Sequence, residues 1–504
     1  MAMKFVIRAD ASRWIGSGHV MRCLVLADGL TAAGHQVTFI CRPQAGDLVD
    51  FIAERGHQVI CLPALTTLIT PVHSADYAAW LQVPWQQDAA DVLTCVTHTD
   101  WLVVDHYGIN AQWEQQVKQA LNCKLLAIDD LVRLHTAELI LDQTLDRQED
   151  EYLDVHTTLG ISPTVLSGVK YALLSPQFRQ IRKLQSQRMA ISVPPKILLS
   201  FGGIDEPNVT LSALKALGGL DVLCTVLLSP RAPHYHQVKA WCDSQKNVVH
   251  HDFVQDMARL MMEHDIAIGA PGTTSWERAC LGLPNILIPI AENQQAICQA
   301  LLAAQASLLV HPSDIERELL PAVQHLLNNH SAFSKSNFKL CDGEGAGRVI
   351  KAIISNTDVS GYKLKSVTIA DTALIYQWQS DPLTRRYALN PNIPSWSEHQ
   401  CWMEKKLQRQ QDYFFFIVSN KNSEPCGAIR LDELATDNYL ISIFIAPYRH
   451  GQGIGLIGLN LIDQCLPSIK IHATVLSENI ASQRLFAKAG YQQVASDKFI
   501  REPL

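Results

Sequence analysis

At 504 residues the chain exceeds one ordinary hydrophobic core, so its length suggests about two to four domains, and 47% hydrophobic with 18% charged residues describes a soluble globular protein. A net charge of -7 without a dense Lys/Arg cluster excludes the basic field that nucleic acid requires, so an anionic substrate has to be held by local donors. No apolar run approaches the roughly 18 residues of a membrane helix and no signal-peptide pattern opens the chain, so no membrane partner and a cytoplasmic location are expected. The 13 cysteines come no closer than Cys23 and Cys41, 18 residues apart; they read as reduced side chains, and no metal site is expected.

The apolar run Phe5-Val6-Ile7 predicts a strand over Lys4 to Ala9, and Val20, Leu24, Ala27 and Leu30 predict a helix from about Val20 to Ala33, stopped by Gly34. Between them lies Gly16-Ser17-Gly18-His19. Glycines permit the sharp turn and leave room for a ligand, and the free N–H groups of the following helix favour an anion, which places His19 at a phosphate site. Strand-like runs at Gln36 to Cys41, Gln58 to Leu62, Trp101 to Val104 and Lys124 to Ile128 then alternate with helical stretches, the pattern of a parallel sheet with ligands beyond its carboxyl ends. Asp105-His106-Tyr107 and Asp129-Asp130 follow two of these strands. Asp105 reads equally as a helix cap or a site residue; Asp129-Asp130 reads as a turn or cap, because neighbours on an extended chain point apart.

The segment Ile7 to Asp10, Gly16-Ser17-Gly18-His19, Met21-Arg22-Cys23 and the later Asp105-His106-Tyr107-Gly108 resemble the nucleotide-sugar hydrolase of pseudaminic acid biosynthesis, which releases UDP from UDP-2,4-diacetamido-2,4,6-trideoxy-β-L-altrose. That family is similar in fold to two-lobed glycosyltransferase-B enzymes. The resemblance implies His19 as general base with Tyr107 beside it, Arg22 at the substrate, and water attack with inversion.

A less regular connection from about Leu141 to Pro195 leads to a second buried strand, Lys196 to Phe201, followed by Gly202-Gly203-Ile204-Asp205 and Asn208. Asp265 to Glu277 then supplies a short apolar strand, a Gly/Pro turn and a Thr/Ser-capped helix that ends before Pro284 and a strand at Ile286 to Ile290. Gly272, Thr273, Thr274 and Ser275 offer N–H groups and hydroxyls to a diphosphate. The resemblance, which covers about residues 3 to 350, implies that Glu277 accepts from ribose hydroxyls, that Gly202 and Gly203 line the site, and that Asn293 contacts substrate.

A break near Asn356-Thr357-Asp358 precedes a different pattern. Val367 to Gln377 reads as a strand passing into a helix, Tyr413 to Val418 and Cys426 to Asp432 as an antiparallel pair, and Tyr439 to Ile445 as a strand. His450-Gly451-Gln452-Gly453-Ile454-Gly455 then opens a helix to about Cys465, a cradle suited to a pyrophosphate. This motif and Glu478 to Phe486 with Gly490-Tyr491 resemble the GNAT superfamily of acetyl-CoA-dependent N-acetyltransferases. The resemblance implies acetyl-CoA as cosubstrate, held by Ile445, Gly451, Gln452, Gly453, Ile454, Gly455 and Asn479. His450 stands where the family has Gln or Arg, and Phe486 where many members have a proton-donating tyrosine.

The expected architecture is α/β: a Rossmann-like lobe over 1–165, a UDP-binding lobe over 166–355 and a GNAT domain over 360–504. The expected substrates are a UDP-sugar and acetyl-CoA, and the expected function is acetylation of a UDP-4-amino sugar followed by hydrolysis of the product. A glycosyltransferase of the same two-lobed fold with an appended acetyltransferase is the alternative.

Overall fold

Short, continuously apolar runs between glycine-rich turns build two parallel sheets, because strands covered by helices on both faces carry no polar alternation. The computed structural model describes residues 2–504 apart from 157–161, 185–186, 189, 292–293 and 410. The first sheet contains β1 (Lys4–Ala9), β2 (Gln36–Cys41), β3 (Gln58–Cys61), β4 (Trp101–Asp105), β5 (Lys124–Ile128), β6 (Leu139–Asp142) and β7 (Thr164–Ser167), in the order β3-β2-β1-β4-β5-β6-β7. The second contains β8 (Lys196–Ser200), β9 (Leu223–Leu227), β10 (Val248–His251), β11 (Ile266–Gly269), β12 (Asn285–Leu287) and β13 (Ser307–Leu309), in the order β10-β9-β8-β11-β12-β13 with every pair parallel.

Each order reverses once, at β1/β4 and at β8/β11, and such a reversal opens a crevice beyond the strand ends where ligands bind. The sequence places Gly16 to His19 and Asp105 to Tyr107 at the first reversal, and Gly202-Gly203 and Gly272 to Glu277 at the second. The expected division at 165/166 falls inside β7, which pairs with β6 and completes the first sheet.

The third sheet contains β14 (Asp358–Val359), β15 (Tyr362–Ser366), β16 (Tyr413–Ser419), β17 (Pro425–Ala435), β18 (Asn438–Ile445), β19 (Lys470–Thr474), β20 (Gln492–Ala495) and β21 (Lys498–Arg501), in the order β14-β15-β16-β17-β18-β19-β21-β20. Pairing is antiparallel except between β18 and β19. One face packs the helices Ile454–Cys465 and Ile480–Lys488 against Ile429, Leu431, Ile441 and Ile471; the other packs Ile375, Trp378 and Met403 against Phe416, Ala428 and Phe444. The expected strand start at Val367 shifts to β15, with the helix following at Thr372–Ser380.

The first two sheets form one compact unit, Lys4–Gly29 with Val37–Val349, and the third sheet belongs to a second unit built on Ile350–Leu504 with Leu30–Gln36. No helix among the described residues is long and apolar enough to cross a membrane.

Candidate active sites in the two units

After β1 the chain folds back on itself: Gly16 N–H donates to the Ser12 carbonyl at 2.8 Å, and Trp14 and Ile15 N–H groups both donate to Ser12 Oγ at 3.2 Å. This turn delivers His19 to the first turn of the helix Gly18–Ala32, facing the end of β4. His19 Nδ1 lies 2.6 Å from Asp105 Oδ1, and Asp105 also receives Arg22 Nε at 2.6 Å and Arg22 Nη2 at 2.7 Å. An ionised carboxylate only accepts, so Nδ1 carries the proton and Nε2 presents its lone pair. Burial opposes the charge on Asp105, but Arg22 and His19 outweigh it and hold the carboxyl well below the usual range.

Asp130 completes the group, accepting from Arg22 Nη1 at 2.8 Å and from the Tyr107 hydroxyl at 2.6 Å. The Tyr107 ring meets the His19 ring edge-on at 4.6 Å and stacks on Trp80 at 5.7 Å. Arg133 fixes the tyrosine from behind, donating to the Tyr107 and Ile109 carbonyls at 2.7 and 2.8 Å while Asp129 accepts its Nε at 2.7 Å. Beneath the β1 turn, Asp10 takes both Nη groups of Arg8, Asp88 pairs with Arg8 and Arg42, and His106 Nε2 lies 3.3 Å from Asp10. These buried pairs hold the ends of β1 and β4 in one geometry.

Three sequence expectations meet the geometry here. Asp105 is no helix cap: Asn110 caps the helix Ala111–Leu121 through the Trp113 N–H at 2.9 Å, and Asp105 holds His19. Asp129 does accept the Arg133 N–H at 2.9 Å in a turn, whereas its neighbour Asp130 enters the site. Arg22, expected at the substrate, has all three side-chain nitrogens engaged by the two aspartates. Its guanidinium ties Asp105 to Asp130.

At the second reversal, a Cβ built on Gly269 would overlap the Ser200 carbonyl and lie 2.6 Å from Arg278 Nη1, so β11 tolerates only glycine where it passes β8. Arg278 donates from beneath to the Ala270 carbonyl at 2.9 Å and fixes the turn before the helix Thr273–Cys280. A Cβ built on Gly18, Gly202 or Gly272 would meet nothing within 4 Å. Ser17 Oγ comes within 3.4 Å of a Cβ built on Gly203, so the two glycine loops face each other across the lobes.

Thr273 and Thr274 are half-buried at this helix start. Ser275, expected to offer its hydroxyl to a diphosphate, is instead buried and engaged by the Gly272 N–H at 3.3 Å and Arg278 at 3.1 Å. Glu277 has no side-chain partner among the described residues, and burial in the crevice pushes its carboxyl up to about 7, only partly offset by Arg278. Asn293 lies outside the described residues.

In the third sheet β18 pairs with β19 only from Asn438 to Leu440, leaving Ile441 to Phe444 without a partner strand on that edge among the described residues. Unpaired strand amides and carbonyls there match an extended amide-bearing chain such as the pantetheine arm of acetyl-CoA. The strand ends in a turn through Gly451 (φ 78°) and Gly453 (φ 75°), where an added Cβ would meet nothing within 4 Å and the helix Ile454–Cys465 begins. His450 Nε2 donates to the Ile445 carbonyl at 3.1 Å. Gln452 is exposed, Ile454 is a core residue, and Gly455 lets Leu485 of the next helix approach to 3.0 Å of a built Cβ. Asn479 caps that helix through the Ser482 N–H at 3.1 Å, and Phe486 packs on Tyr491 with ring centroids 5.0 Å apart.

Comparisons with known proteins find similarities in both units. Residues 363–492 match the acetyltransferase (GNAT) domain, and residues 215–344 match the glycosyltransferase family 28 C-terminal domain. An uncharacterized protein of Methanocaldococcus jannaschii is 24% identical over 97% of both chains. The UDP-2,4-diacetamido-2,4,6-trideoxy-beta-L-altropyranose hydrolase of Campylobacter jejuni is 23% identical over 59% of this chain and 92% of its own. Among solved structures, MurG of Acinetobacter baumannii matches 70% of this chain and 99% of its own with 17% identity and a TM-score of 0.45. The chain joins two Rossmann-like lobes, the second of which matches the glycosyltransferase family 28 C-terminal domain, to a C-terminal GNAT acetyltransferase domain, and is an enzyme that resembles a UDP-sugar hydrolase over its first two lobes.

Proposed function

We propose that the two lobes release UDP from UDP-2,4-diacetamido-2,4,6-trideoxy-β-L-altrose and that the acetyltransferase domain makes this substrate by N-acetylating its UDP-linked 4-amino precursor. The observation that carries the reading is the His19–Asp105 pair, 2.6 Å apart at the β1/β4 reversal, with Nε2 left as a base. His19 takes a proton from water as the oxygen attacks the anomeric carbon; the C–O bond to UDP breaks and the configuration inverts. Asp105 stabilises the imidazolium that forms, and the Tyr107 ring and hydroxyl bound the pocket.

The helix starts at Gly18 and Thr273 direct backbone N–H groups toward the diphosphate, where negative charge grows as UDP leaves. Glu277, with no side-chain hydrogen-bond partner among the described residues, accepts from the ribose hydroxyls. In the acetyltransferase domain the turn at Gly451 to Gly453 cradles the pyrophosphate of acetyl-CoA, and the free edge of β18 aligns its pantetheine arm. The neutral amine attacks the thioester directly.

The test is sequential. Purified protein given the UDP-linked 4-amino sugar should release UDP only after acetyl-CoA is added, with CoA, UDP and the free diacetamido sugar as products. UDP release that instead depends on a sugar or lipid acceptor would replace hydrolysis by glycosyl transfer.

A further inference from the structure

Acetyl transfer from the thioester to an amine needs a group to take the amine proton, and no residue of the sequence motifs supplies one. We infer that His472 is that base. β18 and β19 pair through Asn438↔Lys470, Tyr439↔Ile471 and Leu440↔His472 and then separate, so His472 occupies the last paired position, at the apex of the gap that the thioester would enter.

Alternation along the strands fixes which way it points. Ile471 and Ala473 lie in the core against the helices Ile454–Cys465 and Ile480–Lys488, so His472 between them projects from the opposite face, together with Leu440 and Phe444 of β18. His472 is half-buried, and its Nε2 is fully buried with no hydrogen-bond partner among the described residues. An orphaned ring nitrogen beside an unpaired strand edge is placed to receive a donor from a ligand.

Two other titratable groups on this face are engaged. Asp432 is held by Lys406 at 2.7 Å and by Arg430 at 3.0 Å, and His399 Nε2 is bonded to the Thr372 carbonyl at 3.2 Å. β18 itself offers Leu440, Ser442 and Phe444 on this face, none of them a base near neutrality.

The step balances without a further reactant. The amine nitrogen forms a C–N bond to the acetyl carbon, His472 accepts the proton that this nitrogen sheds, and the C–S bond breaks with its electron pair leaving on the CoA sulfur. The imidazolium then returns its proton to the thiolate through solvent. The inference rests on the acetyltransferase reading given above, and names its base.

The test uses the full chain with acetyl-CoA and a panel of primary amines that includes the UDP-linked 4-amino sugar, following thiol release and measuring acetyl-CoA binding by calorimetry. Which amine the parent protein prefers judges the substrate assignment; the effect of substitution on the best amine judges His472. His472→Gln and His472→Ala should bind acetyl-CoA with parental affinity and lose about 10²- to 10⁴-fold in kcat, the usual range for a general base. Added imidazole should restore part of the rate to His472→Ala and none to His472→Gln. A rate within threefold of the parent in either variant, or no imidazole rescue of His472→Ala, overturns the assignment.

Discussion

Replacing Asp105 by Asn keeps size and shape while removing the charge that fixes His19. The wild-type carboxylate accepts from His19 Nδ1 at 2.6 Å and from Arg22 at 2.6 and 2.7 Å. An amide keeps one oxygen for Arg22 and turns its NH2 toward the imidazole, which then accepts at Nδ1 and carries its proton on Nε2. A protonated Nε2 cannot take a proton from water. The same swap in a serine protease triad costs about 10⁴ in kcat, or about 5.5 kcal/mol of barrier, and a similar loss is expected in UDP release. KM should change little, because the residues proposed to contact the nucleotide are others.

The substitution also strips one charge from a buried group, and breaking a buried ion pair costs about 3–5 kcal/mol. Arg22 retains Asp130 at 2.8 Å, so the lower end applies. A urea titration therefore accompanies single-turnover UDP release, both run where the variant is folded. Asp105→Asn turning over within about tenfold of the parent would refute the tautomer argument and leave Asp105 a structural residue.

Glu277→Ala should raise KM about 10- to 150-fold with kcat nearly unchanged, the effect of losing a charged hydrogen bond worth about 1.5–3 kcal/mol in both ground and transition states; an unchanged KM in steady-state assays returns Glu277 to helix capping. Its ionisation also sets a pH trend. The unfolded carboxyl titrates near 4.5 and the folded one near 7, so its contribution to stability is complete below 4.5 and is lost as pH rises through 7. Glu277→Gln, neutral throughout, should therefore melt above the parent at pH 8 and level with it at pH 4, as calorimetry would read. Gly453→Glu, which forces a charged side chain onto a left-handed backbone (φ 75°) in the pyrophosphate cradle, should abolish acetyl-CoA binding and leave UDP release intact. Loss of both activities together would mean that the variant unfolds.

The strand, glycine turn and helix around His19 were legible because each has a local signal: a buried apolar run, glycines, then 3.6-residue spacing. The same holds for β8, β11 and the helix Thr273–Cys280, and for the turn at Gly451 to Gly453. Strands such as β6 and β10 were not, since β6 runs into the irregular stretch that begins near Leu141 and β10 is only partly buried. The roles of Asp105, Asp130 and Arg22 escaped for a different reason. Arg22 and Asp130 are far apart in sequence and meet only because β1, β4 and β5 are neighbours in the sheet, and a carboxylate after a strand looks the same whether it caps a helix or holds an imidazole. His472 was silent too, because its meaning comes from the register at which two strands part.

The decisive measurement is UDP release from the diacetamido nucleotide sugar, with water as the only acceptor, by the parent protein and by His19→Ala. If His19 is the base, the parent turns over without any added sugar or lipid, and the variant loses about 10²-fold or more while binding UDP with parental affinity by calorimetry. A variant that hydrolyses near the parental rate, or a parent that is inert until an acceptor is supplied, contradicts the assignment.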